Sequence, residues 1–358
     1  MKRVAIIGTV GVPASYGGFE TLAENIIGEK VSENVEYTVF CSASSYKEKQ
    51  IIYKGAKLRY INMNANGIQS TIYDVVSMLK CLGRYDIILI LGVSGCLFLP
   101  LFRLFYDDKI IVNIDGMEHC RQKWSPFTKW FLRKSEATAV KYSDLIIADN
   151  KVIQDYVKEK YKRDAVLIAY GGNHAVRKIT EDAQEEVLNE YGVRRSDYAI
   201  SVCRIEPENN CHVILEAFSK TKMKLLFIGN WTKNKYGKML KNKYSQYANI
   251  IMHEPVYDAD VLYILRNNST IYVHGHSAGG TNPSLVEAMF IGCNILAYDV
   301  SYNRETTHHQ ASYFSSEQDL YEKICCMYDI HNGWQMYNIA AKEYVWKQIA
   351  KQYEQLYF

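Results

Sequence analysis

IYVHGHSAGGTNPSLVEAM, residues 271–289, runs from a buried strand through a glycine-rich loop into a helix. Ile271–Val273 is the apolar run. His274, Gly275, His276, Ser277, Ala278, Gly279, Gly280, Thr281 and Asn282 make a small-residue loop rich in donors. Pro283 stands at the first-turn position that proline favours, so a helix starts there. The N–H groups of Gly279, Gly280, Thr281 and Asn282, with the positive end of the helix, form a place for phosphate or sugar oxygens. Glu287 falls one turn in, where a carboxylate can grip a ribose diol. His274 and His276 raise the question of a metal, but no third ligand follows at a useful spacing, and His308-His309 lack partners too. The reading is no metal.

Working outward, the same strand-then-helix unit repeats along the chain. Val4–Ile7, Tyr37–Cys41, Leu58–Ile61, Ile87–Leu91, Ile110–Ile114, Leu145–Ala148 and Val166–Ala169 read as strands. Helical stretches such as Glu20–Lys30, Ser70–Leu82 and Pro126–Tyr142 lie between them. Strands with little polar alternation, separated by helices, form a parallel sheet covered on both faces. After Gly171-Gly172 the pattern restarts, with strands at Ala199–Cys203, Leu225–Ile228, Ile250–Met252, Ile271–Val273 and Ile295–Tyr298. The expectation is an α/β chain of two Rossmann-like parallel-sheet domains, residues 1–172 and 173–340. The tail is helical in pattern, and residues 341–358 are expected to pack back on the first domain.

Composition agrees. A chain of 358 residues is too long for one ordinary core. A net charge of +3 argues against a dedicated nucleic-acid binder. Nine cysteines without a CxxC pair read as reduced thiols. The opening MKRVAIIGTVG enters a glycine loop too early for a signal peptide. Ile87–Phe102 is apolar, but it is short for a membrane span and interrupted by Gly92, Gly95 and Pro100. It reads as a strand, a turn and an apolar helix, and the protein is expected in the cytoplasm.

Ligands of open α/β sheets bind at the carboxyl ends of strands. The first strand runs into Gly8–Glu20, where Gly17 and Gly18 at a helix start can take a phosphate. This is not a GxGxxG fingerprint, and the second strand ends in Cys41-Ser42 rather than in an acid for a ribose. The fifth strand ends in NIDGMEH, placing Asp115, Glu118 and His119 where they can hydrogen-bond sugar hydroxyls or orient an acceptor. A basic and aromatic segment follows, with Arg121, Lys123, Trp124, Lys129, Trp130, Arg133 and Lys134. It suits an anionic membrane surface or an acceptor carrying pyrophosphate. In the second domain, Arg204 follows a strand end, where a guanidinium can fork onto a diphosphate.

Taken together, GTVGVPASYGGFET, NIDGMEHCRQKW, RIEPENN and HGHSAGGTNPSLVEAM resemble, in order and over nearly the whole chain, the family 4 retaining GT-B glycosyltransferases. The closer likeness is to the bacterial rhamnosyltransferase branch, which builds capsule and other surface polysaccharides. The resemblance implies a cleft between the two domains that closes over a nucleotide-sugar. It places Gly17 and Gly18 over the donor pyrophosphate, Arg204 on that pyrophosphate, and Glu287 on the ribose. His119 or Asp115 would touch the transferred sugar. Two positions depart from the pattern. The first glutamate of the E-x7-E signature falls at Gly279, where loop amides of Gly279, Gly280 and Thr281 would substitute. The lysine expected after the arginine is replaced by Asn209 or Asn210, and Lys233 or Lys235 are positioned to supply charge. Asn209 is kept in the donor-binding set.

The implied donor is dTDP-L-rhamnose, and no cofactor is expected. The implied acceptor is a lipid-pyrophosphate-linked saccharide at the inner face of the plasma membrane. Arg204 and two helix N-termini would hold the leaving diphosphate. The rivals are a GT-B sugar-nucleotide epimerase, a nucleotide-dependent oxidoreductase, and a non-catalytic sugar-nucleotide-binding protein.

Overall fold

Runs of Val, Ile and Leu without polar alternation become the inner strands of two parallel sheets, because only a strand covered on both faces can bury every side chain. The structure is a computed structural model that describes residues 1–14, 17–67, 69–121 and 124–358, apart from the side chains of Cys120 and Met327. The chain divides into two compact units: Met1–Tyr170 with Trp346–Phe358, and Gly171–Val345.

The first unit holds strands β1 (Lys2–Ile7), β2 (Val35–Ser42), β3 (Ile52–Tyr53), β4 (Ala56–Ile61), β5 (Ile87–Leu91), β6 (Lys109–Asn113), β7 (Leu145–Ala148) and β8 (Val166–Leu167). They lie in the order β3-β4-β2-β1-β5-β6-β7-β8. All neighbours run parallel except the edge pair β3 and β4. Helices α1 (Gly18–Gly28), α2 (Gln69–Cys81), α3 (Leu99–Phe102), α4 (Pro126–Tyr142) and α5 (Lys151–Tyr161) connect them. Strand order reverses between β1 and β5, so the loops after these two strands flank the switch point.

The second unit holds β9 (Tyr198–Val202), β10 (Lys224–Ile228), β11 (Ile250–His253), β12 (Ile271–His274), β13 (Ile295–Tyr298) and β14 (Ser312–Phe314), all parallel, in the order β11-β10-β9-β12-β13-β14. Its helices are α6 (Glu181–Glu190), α7 (Cys211–Ser219), α8 (Lys235–Tyr244), α9 (Ala259–Asn267), α10 (Pro283–Ile291), α11 (Ser301–Thr306), α12 (Glu317–Cys325) and α13 (Gly333–Glu343). Here order reverses between β9 and β12.

The last helix, α14 (Trp346–Gln355), belongs to the first unit. Trp346, Ile349, Tyr353 and Tyr357 share a core with Ile26, Ile27 and Tyr37. Each such large side chain contributes roughly 1.5–3 kcal/mol of burial. Polar bonds fix its position: Glu354 accepts from the N–H groups of Val31 at 2.9 Å and Ser32 at 2.7 Å. Residues 341–345 of the tail stay with the second unit.

The apolar stretch after β5 is not one helix. It forms a 3-10 turn (Cys96–Phe98) and then the short α3, with Pro100 in its first turn. Arg103 ends it by donating from Nε to the Tyr142 carbonyl at 2.9 Å. Among the described residues no helix is long and apolar enough to cross a membrane.

Candidate active site

In the second unit the two loops at the switch point interlock. The loop after β9 carries Arg204 to Asn210, and the loop after β12 carries Gly275 to Asn282. Ser277 donates from its N–H and its hydroxyl to the Glu208 carbonyl, at 2.9 and 2.8 Å. Asn210 donates from Nδ2 to the Gly275 carbonyl at 2.9 Å. A Cβ on Gly275 would stand 2.2 Å from the Asn209 carbonyl oxygen, so only glycine permits this approach. Asn209 donates from Nδ2 to the Arg204 carbonyl at 2.6 Å, and its Oδ1 lies 2.6 Å from Nδ1 of His276.

The expected donor-binding residues of this unit other than Glu287, which lies on α10, therefore gather on two joined loops. Arg204 itself is exposed, while Gly279, Gly280 and Thr281 are buried. Asn282 also stands at the start of α10. Its side chain caps α10, accepting from Ser284 N–H at 3.0 Å and from the Ser284 hydroxyl at 2.8 Å. The loop after β10 adjoins the Arg204 loop: Asn234 donates from Nδ2 to the Ile205 carbonyl at 2.8 Å. Lys233 and Lys235, both exposed, flank that asparagine.

Glu287 is held by two partners that sequence reading missed. Arg266 reaches it with Nη1 at 2.8 Å, and Nε2 of His174 lies 3.3 Å away. Burial alone would raise the Glu287 pKa, but the Arg266 guanidinium and His174 outweigh it and hold it below the usual carboxylate range. Two bonded oxygens still leave lone pairs for a diol. Arg266 sits at the end of α9 and is 3% exposed, and His174 lies on the short turn Asn173–Ala175 that follows Gly172. Burial, then Arg266, push His274 down to about pKa 3, so this histidine is neutral.

In the first unit, β6 delivers Asn113 to a turn. Asn113 accepts from Asp115 N–H at 3.1 Å and donates to the Tyr353 hydroxyl at 3.0 Å. Asp115 follows with φ 58°, a left-handed conformation that aspartate tolerates better than most residues. His119 is 7% exposed and lies with Nδ1 3.0 Å from Oε2 of Glu136 on α4. A carboxylate can only accept, so Nδ1 carries the proton. Glu136 in turn accepts from the Tyr156 hydroxyl at 2.6 Å and the Tyr161 hydroxyl at 2.5 Å, with Lys160 Nζ at 3.3 Å. Burial raises its pKa, but His119 and both tyrosines win and hold it at about 2. The carboxylate is therefore ionised and fixes the imidazole.

The glycine loop after β1 is tied down by acids of α1. Glu20 accepts from the Thr9 hydroxyl and Val10 N–H, both at 2.8 Å, and Glu24 from Ala14 N–H at 2.6 Å. Gly17 precedes α1 with φ 124°, and a Cβ there would stand 2.0 Å from Oε2 of Glu20. Gly17 and Gly18 thus border a carboxylate of the helix's own first turn, which counts against an anion resting there.

The basic segment splits. Arg121 is 8% exposed and paired with Glu118 at 2.8 Å, so it is not a surface charge. Trp124 donates from Nε1 to Glu118 at 3.2 Å. Lys123 lies outside the described residues. Lys129 is half-buried on α4, while Arg133 and Lys134 are exposed. On the same helix Phe127 and Trp130 are exposed and stacked at 6.0 Å. Leu101, Leu104 and Phe105, at the neighbouring α3, are exposed as well.

Two family models match the chain. Residues 1–173 match "Domain of unknown function (DUF1972)", and residues 183–324 match "Glycosyl transferases group 1". No curated protein matches the chain. Solved structures do. Sucrose-phosphate synthase from Thermosynechococcus elongatus is 14% identical, with a TM-score of 0.81 over 100% of this chain and 98% of the other. HepE from Anabaena, in complex with UDP, is 13% identical, with a TM-score of 0.74 over 99% of both chains. The fold is that of the GT-B glycosyltransferases. A protein described as a UDP-N-acetylglucosamine 2-epimerase, from Listeria monocytogenes, is 12% identical with a TM-score of 0.64 over 99% of this chain and 94% of the other. At these identities the likeness speaks for the GT-B fold. The group 1 match, which spans β9 to β14 and both switch-point loops, supports a glycosyltransferase.

Proposed function

We propose that this GT-B protein is a retaining glycosyltransferase that moves a sugar from a nucleoside diphosphate to a lipid-pyrophosphate-linked saccharide. The observation that carries the reading is the interlocked pair of loops at the β9/β12 switch point, inside the segment matched by the group 1 model. Arg204, the amides of Gly279, Gly280 and Thr281 and the N-terminus of α10 would hold the diphosphate as it leaves. Glu287, kept ionised by Arg266, would accept from the ribose hydroxyls. His119, oriented by Glu136, and Asp115 are the residues offered to the transferred sugar or the acceptor. No protein base is assigned: the departing phosphate oxygen takes the acceptor proton on the same face, which leads to retention. The reaction is proposed to need no metal. HepE's complex with UDP supports a nucleotide-sugar donor. L-rhamnose from dTDP-L-rhamnose, for capsule or other surface polysaccharide, rests on the sequence resemblance.

The acceptor would be met at the inner face of the plasma membrane. Phe127, Trp130, Leu104 and Phe105 would enter the lipid boundary, with Lys129, Arg133 and Lys134 on the headgroups. Replacing Lys129, Arg133 and Lys134 together with Glu should weaken binding to anionic vesicles at least tenfold, and unchanged binding refutes this surface.

The activity is tested with purified protein, a panel of sugar nucleotides, and lipid-linked glucose present or absent. Acceptor-dependent release of nucleoside diphosphate, lost in Arg204→Ala, is the expected result. Conversion of the donor without acceptor would favour epimerisation, and binding without turnover would make the protein a sugar-nucleotide-binding module.

A further inference from the structure

Two thiols bracket the loop that carries Arg204. Cys203 directly follows β9, and Cys211 is the first residue of α7. They stand eight residues apart in the chain, yet their sulfurs lie 3.9 Å from each other. Both are free thiols in contact, and a disulfide would need a separation of about 2 Å. The pair is unequal. Cys203 is partly exposed, whereas Cys211 is fully buried. Burial, then the neighbouring Cys203, push the Cys211 thiol up, so it stays protonated near neutral pH. Its Sγ lies under the loop, 3.9 Å from the Arg204 carbonyl oxygen and 3.7 Å from that of Glu206. Both ends of the loop are tied. Cys203 donates its N–H to the Ile228 carbonyl at 3.2 Å, and Asn210, just before Cys211, is bonded to the Gly275 carbonyl.

We propose that Cys203 and Cys211 form a reversible disulfide when the chain meets a hydroperoxide, and that this bond closes the base of the Arg204 loop and weakens its hold on a nucleoside diphosphate. The effect on binding rests on the nucleotide-sugar reading of the site; the disulfide does not. Cys203, as its thiolate, attacks a peroxide oxygen. An S–O bond forms, the O–O bond breaks, and the leaving oxygen takes up the proton the thiol released. The sulfur has given up two electrons and is now a sulfenic acid. Cys211 Sγ then attacks that sulfur: the S–S bond forms, the S–O bond breaks, and hydroxide leaves with the Cys211 proton as water. A dithiol returns the two electrons and restores both thiols. The order follows from exposure, since the oxidant reaches Cys203 while the buried, protonated Cys211 is placed to resolve. The sulfurs must close by about 2 Å, and the S–H that faces the Arg204 and Glu206 carbonyls is lost. The loop has little room to follow. Ser277 and Asn210 bind it to the loop after β12, and the Asn209 carbonyl already lies against Gly275. Arg204 is therefore drawn away from its place beside the amides of Gly279 to Thr281.

The test begins with the full chain, reduced and then freed of reductant. It is treated with a small excess of hydrogen peroxide, alkylated, denatured and digested with trypsin. Cleavage after Arg195, Arg204 and Lys220 puts Cys203 in peptide 196–204 and Cys211 in peptide 205–220, so only a disulfide holds the two together. The joined pair is the expected product, and dithiothreitol should part it. Alkylated Cys203 and Cys211 after peroxide, with oxidation confined to other thiols such as the exposed Cys325 and Cys326, overturn the proposal. Binding of dTDP and of UDP is then measured by calorimetry on the reduced and the oxidised chain. Oxidation should weaken binding of the preferred nucleotide by about tenfold or more, as expected when a bond to a charged group is lost, and reduction should restore it. Cys211→Ser, or Cys203→Ser if the buried position does not tolerate the change, should bind equally before and after peroxide. Each variant is compared with its own reduced form. A disulfide-bearing chain that binds as tightly as the reduced one overturns the effect on the loop, and so does a folded serine variant that loses binding on oxidation as wild type does. If the reduced chain binds neither nucleotide, the nucleotide-sugar reading falls and the effect on binding with it, while the peptide map still decides the disulfide.

Discussion

Glu136→Gln removes one negative charge from the cluster behind His119 while keeping its shape. In the native chain that carboxyl is held at about pKa 2, against an ordinary 4.5. The gap corresponds to roughly 3 kcal/mol of stability near neutral pH. The sign follows from the depressed pKa: the contribution is full above about pH 5 and is lost as pH falls through about 4 towards 2. The variant should therefore be about 3 kcal/mol less stable than wild type at about pH 7, and the difference should shrink to about half by about pH 3. Urea unfolding of the full chain gives the midpoints, and hydrogen exchange of peptides from α4 and α5 locates the loss. A two-unit chain need not unfold in one step, so the local measurement is the decisive one. A difference below about 0.5 kcal/mol near neutral pH, or one that stays constant down to about pH 3, refutes the claim that an ionised Glu136 organises this region. Activity should fall as well, because Nδ1 of His119 would lose the acceptor that fixes its tautomer.

Arg266→Met should cost about 3–5 kcal/mol by leaving Glu287 buried beside His174 alone, and Glu287→Gln should cost a similar amount by stranding Arg266; the pair replaced together by Met and Leu should recover part of the loss in urea unfolding. This means activity losses in Glu287 variants have to be read beside their stability. Gly279→Glu writes in the first glutamate of the E-x7-E signature, yet φ +131° and the contact with His276 should make it about 1–3 kcal/mol less stable and no more active, by thermal unfolding and product release. Gly279→Ala should show most of the same stability loss.

Most of the fold was legible because it follows from local pattern. Ile87–Leu91 and Leu145–Ala148 are apolar runs of strand length, and Pro126–Tyr142 begins at a proline after a serine cap; all three segments have the bounds their sequence suggests. Two kinds of feature were not legible. The edge strand β3 has two residues, Ile52 and Tyr53, and nothing periodic to read. The ion pairs of the site join residues on different elements: Glu136 on α4 meets His119 from the loop after β6, and Arg266 at the end of α9 meets Glu287 on α10. Each charged residue alone resembles a solvated surface residue, and only the packing of those elements makes it a partner. A lone acid or base on an otherwise apolar stretch, such as Arg266 after Val261-Leu262-Tyr263-Ile264-Leu265, is the one signal that sequence offered.

The two helix ends following glycine loops are unequal as anion sites, and the difference lies in where the acids stand. At the start of α1 an acid of the first turn, Glu20, turns back onto Thr9 and Val10 and already uses the positive end of the helix. At the start of α10 the first turn holds no acid, and its cap is the neutral Asn282. Glu287 lies one turn further on and is paired with Arg266. A diphosphate arriving at α1 meets a negative charge about as near as the amides it seeks, and repulsion between like charges at such range offsets what a helix end contributes, about 0.3–1 kcal/mol. At α10 the same ligand would meet amides, with Arg204 on the joined loop. Of the two helix ends, the start of α10 is therefore the better suited to a phosphate. The acids of α1 that face the β1 loop leave this part of the first unit better suited to hydroxyls, which donate to carboxylates, than to phosphates, which cannot.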